Sequence, residues 1–244
     1  MQTTMANANE YHGRIAVITG GSGGIGGAIT KRLTSEDAIV HILDIKTGES
    51  SARFHAIDVG DEASVNRVFD SIGAEHGAID YLICCAGIYR PQPFLELSLE
   101  AWRQTLHVNL TGMFLCCRAA LKYMTPRRFG RIVLFSSMAA RTGGKNVAHY
   151  ATSKGGILGL TRALAVEVAS DNIRVNAISP VITDTAMPRA VVSDAYMQSR
   201  KDHIPLGRIG DVQDMVEACL FLLSEDSSYM TGQDLRVNGG STLW

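Results

Sequence analysis

The chain has 244 residues, of which 46% are hydrophobic and 19% charged, and its formal net charge is −1. This composition is typical of one large α/β domain or two small ones with a substantial core, and it excludes a disordered chain. The small net charge and the lack of long single-sign runs argue against a nucleic-acid or anionic-membrane surface. No apolar run reaches the length of a membrane span.

The N-terminal segment and the cysteines indicate where the protein works. Residues 1–12 read as a flexible tail, since the first ten are polar and lack the apolar core of a signal peptide, and 13–244 remain for a single domain. Four of the five cysteines form two adjacent pairs, Cys84-Cys85 and Cys116-Cys117. Neither pair has zinc-ligand or redox spacing, so we expect reduced thiols, no metal site and a cytoplasmic location.

The first predicted strand, 14–19, leads directly into a glycine-rich turn and a helix over about 25–33. Glycines let the backbone approach a pyrophosphate, and the free N–H groups of the helix start attract it. A flexible glycine turn without a ligand is the alternative, and the preceding strand makes it less favoured. Two spacings fit a dinucleotide fingerprint equally well: Gly21-x-Gly23-x-x-Gly26 and Thr19-Gly20-x-x-x-Gly24-x-Gly26.

A second predicted strand, 38–45, ends near Asp44, roughly twenty residues past the glycines. A carboxylate there accepts hydrogen bonds from the adenosine ribose hydroxyls and repels a 2′-phosphate, so it favours NAD over NADP. The alternative is a solvated aspartate at a strand end. The following segment, 46–53, is polar and leaves room for at most a stub of helix.

The remaining elements follow from apolar runs and helical periodicity. The predicted strands are 54–59, 79–85, 131–136, 173–178 and 232–237; the predicted helices are 61–76, 102–124, 153–169 and 212–223. Residues 183–205 show no clean period and are interpreted as a long mobile loop with some helix. Seven strands alternating with helices predict an α/β fold, a single-domain doubly wound parallel sheet with ligands at the carboxyl ends of its strands.

Tyr150 and Lys154 are four residues apart and share a face if they lie on one helix. A nearby ammonium favours the phenolate, so the pair is a candidate acid/base catalyst near neutral pH. Taken alone, the same spacing also fits an exposed helix pair of little consequence.

In order and spacing, these motifs resemble those of the short-chain dehydrogenase/reductase family, in its compact branch, over residues 13–240. The motifs that carry the resemblance are Thr19-Gly20-x-x-x-Gly24-x-Gly26, Asn109 in HVNLTG, the serine in LFSSM, Tyr150-x-x-x-Lys154 and Asn176-x-x-x-Pro180. The resemblance implies a Rossmann-type fold, NAD(P) binding and a Ser-Tyr-Lys-Asn catalytic set.

The resemblance also implies a role for each member of this set. Tyr150 is the acid/base, Lys154 lowers its pKa and binds the nicotinamide ribose, Ser137 hydrogen-bonds the substrate oxygen, and Asn109 holds a water that links Lys154 to solvent. By chemistry alone Ser136 is an equally good serine. Asn109, a poor helix former in mid-helix, could instead be structural.

The implied binding residues lie at the strand ends and in the following loops. For the cofactor they are Gly20, Ser22, Gly23, Gly24, Ile25, Gly26, Asp44, Ile45, Asp58, Val59, Cys85, Ala86, Gly87, Tyr150, Lys154, Pro180, Val181, Ile182 and Thr183. For the substrate they are Ser137, Met138, His149, Tyr150, Val181 and Met187, with Arg141 nearby.

Three departures from the family pattern bear on the site. Cys84-Cys85 replaces the usual Asn-Asn, which we expect to weaken local rigidity but to leave binding intact. Val181 replaces a glycine and places a branched side chain beside the nicotinamide or substrate. The segment after Asp44 is short, which we expect to open the adenosine end of the site.

Together these features predict an NAD-dependent oxidoreductase that interconverts a secondary alcohol and a ketone. The main alternative is an NADPH-dependent 3-oxoacyl-type ketoreductase, which Asp44 and the lack of a basic residue at Gly23 disfavour. The second is a catalytically silent NAD-binding sensor, but such proteins typically lose the tyrosine or lysine. The physiological substrate is not fixed by the sequence.

The helix predicted over 153–169 is apolar on more than one face and therefore needs cover beyond its own sheet. We expect the same helix of a second copy to supply it, beside the 102–124 helix, and the family implies a homotetramer. The terminal pair Leu243-Trp244 could add a contact. A monomer whose own loops cover the helix is the alternative.

Overall fold

A computed structural model describes residues 10–48 and 50–242 of the chain. Its centre is one seven-stranded sheet in the order β3-β2-β1-β4-β5-β6-β7, with every neighbouring pair parallel. The strands are β1 Ile15–Thr19, β2 Ile39–Asp44, β3 Arg53–Ala56, β4 Tyr81–Cys84, β5 Gly130–Phe135, β6 Ile173–Ile178 and β7 Asp234–Leu235. The predicted doubly wound parallel sheet is confirmed.

The helices connect successive strands. They are α1 Gly24–Ser35, α2 Glu62–His76, α3 Leu99–Leu106, α4 Gly112–Met124, α5 Ala139–Thr142, α6 Ala148–Val168, α7 Ala186–Arg189, α8 Asp194–Lys201 and α9 Val212–Leu223. Short 3₁₀ turns lie at Phe94–Glu96, Ala169–Asp171 and Glu225–Ser227. In the described part of the chain, no helix has the length and hydropathy needed to cross a bilayer.

Two hydrophobic cores lie on opposite faces of the sheet. One packs side chains of α2, α4 and α6 against the central strands, with Phe69 fully buried at its middle. The other packs α1 and α9 against the opposite face, around Ile18 and Ile29. Because both faces are covered, the central strands are continuous apolar runs, as parallel sheets require.

The predicted 102–124 helix is not one continuous helix. Ser98 caps its start by accepting a hydrogen bond from the Ala101 N–H at 3.1 Å, and the chain passes through a π-helical segment, His107–Thr111, before α4. Across this segment Leu106, Leu110 and Met113 keep the spacing of an α-helix, so the periodicity of the sequence does not reveal the π turn.

The edge strands are shorter than predicted. The 54–59 strand is Arg53–Ala56, because Asp58 then closes a turn by accepting a hydrogen bond from the Gly60 N–H at 2.9 Å. The 232–237 strand is only Asp234–Leu235. An edge strand has a neighbouring strand on one side only, so fewer of its residues make the backbone hydrogen bonds that define a strand.

Two predicted boundaries also move. The helix expected over 153–169 begins at Ala148, and Tyr150 and Lys154 therefore share it. The predicted tail 1–12 lies mostly outside the described residues. Its last part is held in place, since the Tyr11 hydroxyl donates to the Leu220 carbonyl at 3.0 Å. Leu243 and Trp244 also lie outside the described residues.

Candidate active site

The predicted catalytic residues meet at the carboxyl ends of β4 and β5. β4 lies beside β1, where the strand order reverses direction, which is where open α/β sheets bind ligands, and β5 is the next strand. Ser137 follows β5, while Tyr150 and Lys154 lie on α6, which packs across β5 and β6. Asn109 comes from the π segment between α3 and α4.

Asn109 is completely buried and joins three parts of the site. Its Oδ1 accepts a hydrogen bond from the Ile88 N–H at 2.8 Å, and its Nδ2 donates to the Ile88 carbonyl at 3.0 Å and to the Ser153 Oγ at 3.2 Å. The asparagine therefore clamps the loop after β4 onto α6. This bonding accounts for an asparagine inside a helical stretch.

Lys154 is 5% exposed, and its Nζ donates to the Phe135 carbonyl at 2.7 Å. Burial lowers the pKa of this ammonium to about 8. Nζ also lies over the face of the Tyr150 ring, 5.7 Å from the ring centroid. Its hydrogen bond goes to the carbonyl of Phe135, the last residue of β5.

Tyr150 packs edge-to-face on Tyr89, with ring centroids 4.9 Å apart. Burial raises the pKa of Tyr150 to about 12, and the nearby Ser137 hydroxyl partly offsets this rise. Desolvation dominates the pKa of Tyr150 in the chain alone, and the lowering expected from Lys154 stays a prediction.

The structure distinguishes the two adjacent serines. The Ser136 hydroxyl is buried and donates to the Lys154 carbonyl at 2.9 Å, which ties β5 to α6. Ser137 is half-buried beside Tyr150, and its Oγ accepts a 3.2 Å bond from the Ala139 N–H. Of the two, Ser137 has the hydroxyl available to a substrate oxygen.

The glycine turn after β1 has the close packing that a nucleotide cradle requires. Gly20 has a φ of +67°, and a Cβ there would lie 2.7 Å from the Ala86 nitrogen. A Cβ at Gly26 would lie 2.2 Å from the Gly20 carbonyl oxygen. These two glycines bring β1, α1 and the loop after β4 into contact, so side chains are excluded there.

Several groups around this turn are left available for a ligand. In the described chain, α1 has no side-chain cap, and its N-cap Gly23 is exposed. The Ser22 Oγ is buried without a hydrogen-bond partner among the described residues. A free helix N-terminus and an unpaired buried hydroxyl fit the pyrophosphate of a dinucleotide.

Asp44 ends β2 beside this turn. Its Oδ2 accepts from the Ser22 N–H at 3.2 Å, and its Oδ1 accepts from the Ile45 N–H at 2.8 Å. The carboxylate is held by backbone groups and is half-buried, with Ile45 and Lys46 exposed beside it. This geometry suits a ribose diol and disfavours a second phosphate.

The short segment after Asp44 folds against the glycine turn. A Cβ at Gly48 would lie 2.3 Å from the Ser22 carbonyl oxygen. The segment therefore contacts the glycine turn at Gly48, and the predicted opening of the adenosine end stays a prediction.

Other predicted cofactor residues lie around the same rim. Ala86 donates its N–H to the Thr19 Oγ1 at 3.2 Å. A Cβ at Gly87 would lie 3.4 Å from the Asn109 Oδ1 and 3.7 Å from the Lys154 Nζ. Gly87 therefore lies in van der Waals range of two of the predicted catalytic residues.

Asp58 and Val59 occupy the next turn of the rim. The Asp58 Oδ2 lies 3.8 Å from the His107 Nε2, and Val59 is buried against Gly112. Ile25, expected at the cofactor, packs partly into the core under α1. Cys85 continues the sheet by donating its N–H to the Thr19 carbonyl at 3.0 Å.

The loop after β6 is fixed at its start. The Pro180 carbonyl accepts from the Met138 N–H at 3.0 Å, and the Thr183 hydroxyl donates to the Val181 carbonyl at 3.1 Å. Ile182 accepts through its carbonyl from the Gly210 N–H at 3.3 Å. The 183–205 loop contains α7 and α8, as its partial helix content predicted.

The predicted substrate residues are not equally accessible. Val181 is half-buried and Met187 is 41% exposed. Met138 is buried, and its Sδ accepts a weak 3.8 Å bond from Asn238. His149 is buried with its Nε2 donating to the Arg90 carbonyl at 3.0 Å, while its Nδ1 has no partner in the described chain.

Arg141, considered near the substrate, instead pairs with Asp234. Its Nε lies 2.9 Å from the Asp234 Oδ2, so its charge is satisfied within the protein.

All five cysteines carry free thiols. Cys84 is fully buried and lies in the same core as Cys116 and Cys117.

Three residues of the site were not predicted from the sequence. Tyr89 packs on Tyr150, Ile88 receives the Asn109 clamp, and Thr185 approaches the glycine turn, 3.8 Å from a Cβ built at Gly24. All three lie in irregular loops with no periodicity. The tyrosine shortly after the Ala86-Gly87 turn was the one available signal.

Comparison with known proteins places this site in a family. A family model described as enoyl-(acyl carrier protein) reductase, of the short-chain dehydrogenase type, matches residues 20–242. The chain is similar to the 3-oxoacyl-acyl-carrier-protein reductase of Aquifex aeolicus, at 38% identity over 95% of this chain and 98% of the other. It is also similar to the cis-4-hydroxycyclohexanecarboxylate dehydrogenase of Sinomonas cyclohexanicum, at 37% identity over 94% and 96%.

A solved structure shares the fold as well. The ligand-free aldohexose dehydrogenase of Thermoplasma acidophilum superposes with a TM-score of 0.91 and 33% identity, covering 96% of this chain and 95% of that one.

Proposed function

Since the chain belongs to the short-chain dehydrogenase/reductase family and is an oxidoreductase that binds a nicotinamide cofactor, we propose that it uses NAD(H) to interconvert a secondary alcohol and a ketone. The choice of NAD over NADP rests on Asp44. Its carboxylate accepts hydrogen bonds from the Ser22 and Ile45 N–H groups beside the glycine turn. A 2′-phosphate at that position would meet a negative charge.

In the proposed reaction, different side chains transfer the proton and stabilise the developing charge. Tyr150 takes the alcohol proton during oxidation and returns one during reduction. Ser137 donates a hydrogen bond to the substrate oxygen, where charge develops. The cofactor supplies the hydride chemistry and, when oxidised, a positive charge that favours the tyrosinate.

Lys154 has two assigned tasks in this proposal. It contributes a buried positive charge that favours the tyrosinate, and it binds the nicotinamide ribose. Its link to Phe135 holds the side chain in the site until the ribose arrives. Asn109 keeps the loop at Ile88 and helix α6 in register, so that the proton path beside Lys154 stays in place.

An NADPH-dependent 3-oxoacyl ketoreductase is the second candidate function. It is favoured by the relative named as a 3-oxoacyl-acyl-carrier-protein reductase, which matches nearly the whole chain. The fixed carboxylate of Asp44 opposes it. The relative named as a hydroxycyclohexanecarboxylate dehydrogenase favours a cyclic secondary alcohol.

The remaining parts of the proposal concern setting and partners. We infer a cytoplasmic enzyme that acts on a small molecule and assembles as a homotetramer, with no nucleic-acid or membrane partner. The reduced thiols of Cys84, Cys116 and Cys117 agree with a reducing compartment.

The test is a steady-state screen with both cofactors. The panel contains cyclic and open-chain secondary alcohols, the corresponding ketones and a 3-oxoacyl thioester. We expect turnover with a secondary alcohol or ketone and NAD(H), which Tyr150→Phe reduces by about 10²–10⁴-fold. Activity confined to the 3-oxoacyl thioester with NADPH would favour the second candidate, and unchanged activity of Tyr150→Phe would overturn the mechanism.

A further inference from the structure

Five polar residues form a cluster on one face of the sheet edge, away from the catalytic residues. His41 lies in β2, Arg53 and His55 lie in β3, and Glu75 and His76 end α2. His41 pairs with Arg53 and Leu43 with His55, so these strand residues point to the face that α2 covers. We call this group the His41 cluster.

The three imidazoles of the His41 cluster form a chain of short contacts. The His41 Nδ1 lies 2.9 Å from the His55 Nε2, and the His41 Nε2 lies 3.0 Å from the His76 Nε2. One ligand atom each from His41, Glu75 and His76 lies within 4.8 Å of the others. His41 itself is only 1% exposed, although its neighbours in β2 are apolar.

The facing nitrogens of His41 and His76 need either a ring N–H proton or a metal cation between them. If the His41 Nδ1–H donates to His55, the Nε2 of His41 carries a lone pair directed at His76. Two lone pairs at 3.0 Å repel unless a proton or a metal cation lies between them. A buried histidine in the middle of a strand is otherwise costly, because its polar atoms lose their water.

We propose that His41, His76 and Glu75 bind a divalent transition-metal ion, with Zn²⁺ as the expected occupant. Two imidazoles and a carboxylate are a donor set that zinc uses in proteins. Zinc bonds of about 2.0 Å in a tetrahedron place two nitrogens about 3.3 Å apart, so the 3.0 Å contact needs only a small widening. His55 would accept the remaining N–H of His41, the outer-shell contact that orients a histidine ligand.

Arg53 is the competing cation in the metal-free chain. Its guanidinium is bonded to the Glu75 carboxylate and lies 3.2 Å from the His76 Nε2. The Arg53 and Glu75 side chains are each 50% exposed, so Arg53 can swing into solvent when a metal enters. A bound ion would then join β2, the edge strand β3 and the end of α2.

The experiment titrates chelator-treated full-length protein with ZnCl₂ by calorimetry and, separately, with CoCl₂ by visible absorption. We expect one ion per chain and visible bands typical of tetrahedral Co²⁺. His76→Gln and Glu75→Gln should each weaken zinc binding by about tenfold or more, since each removes a ligand. Arg53→Gln should strengthen it, because Glu75 loses its competing partner.

His203→Gln is the matched control, since this exposed histidine bonds the Ser199 carbonyl at 2.9 Å and lies outside the His41 cluster. It should bind zinc like the unaltered chain, and circular dichroism should show every variant folded. The proposal is overturned if neither the unaltered chain nor Arg53→Gln binds zinc, or if His76→Gln binds it as tightly as the unaltered chain. Because the readout is metal binding, its failure leaves the proposed oxidoreductase function untouched.

Discussion

Two neighbouring serines at the end of β5 have different tasks. Ser137→Ala removes a donor aimed at the substrate oxygen, so we predict a loss of about 10²–10³-fold in kcat at unchanged stability. Ser136→Ala breaks the bond to the Lys154 carbonyl, so it should lower the free energy of unfolding by about 1–3 kcal/mol. Steady-state kinetics and urea unfolding of both variants check this. The reverse pattern would mean that the catalytic serine is Ser136.

The pKa values of the buried site predict a pH dependence of stability. The pKa of Lys154 falls from 10.5 to about 8 on folding, so below pH 8 both states hold the proton and the cost of burial is fully present. From pH 8 to 10.5 the unfolded chain binds more protons, and stability rises with pH. The raised pKa of Tyr150 acts in the opposite direction only above pH 10.

The stability difference between the unaltered chain and Lys154→Met isolates this effect. We expect it to shift in favour of the unaltered chain by about 2 kcal/mol between pH 8 and pH 10. Urea unfolding of both proteins at the two pH values, without cofactor, is the measurement. A difference that stays constant would show that Lys154 titrates normally.

At the scale of elements, the π segment His107–Thr111 aims Asn109 into the site. Asn109→Leu would leave the half-buried Ile88 N–H and carbonyl without their protein partner, so we predict a loss of about 1–3 kcal/mol in unfolding free energy and reduced turnover. Asn66→Leu on α2 is the control, since Asn66 makes one 3.5 Å contact with Lys122. Equal losses in the two variants would contradict the clamp.

The sequence predicts the central strands well and the irregular parts poorly. Strands β1, β2 and β4 to β6 are buried on both faces and read as continuous apolar runs. The start of α6 was missed because its N-cap, Val147, makes no side-chain capping bond, so no capping residue marks it. Folding contacts such as Gly48 against Ser22 join segments that no local pattern relates.

The same contrast holds at the site. Tyr150, Lys154 and Ser137 could be placed together because Ser137 follows the end of a parallel strand and the other two share one helix face. Asn109 was identified through the family motif alone. The direction of the Lys154 ammonium could not be predicted. It depends on the position of the Phe135 carbonyl across the sheet, which is a tertiary contact.

At the scale of the whole molecule, α4 and α6 leave apolar side chains in water. Val166 is 83% exposed and Phe114 is 44% exposed. We predict that these helices pair with a second copy, so that Val166→Glu lowers the assembly mass. Ile45→Glu, at a 72% exposed residue beside Asp44, is the control and should leave the assembly mass unchanged. Light scattering at micromolar concentration decides, and a mass near 26.3 kDa for the active unaltered protein would refute assembly.

The choice between NAD and NADP tests the central claim most directly, because it needs no substrate. Fluorescence titration gives the Kd of NADH and of NADPH for the unaltered chain and for Asp44→Ser. We predict that NADH binds at least about tenfold more tightly than NADPH, a difference of about 1.4 kcal/mol, and that Asp44→Ser removes or reverses this preference. Equal or tighter binding of NADPH by the unaltered chain would contradict the account.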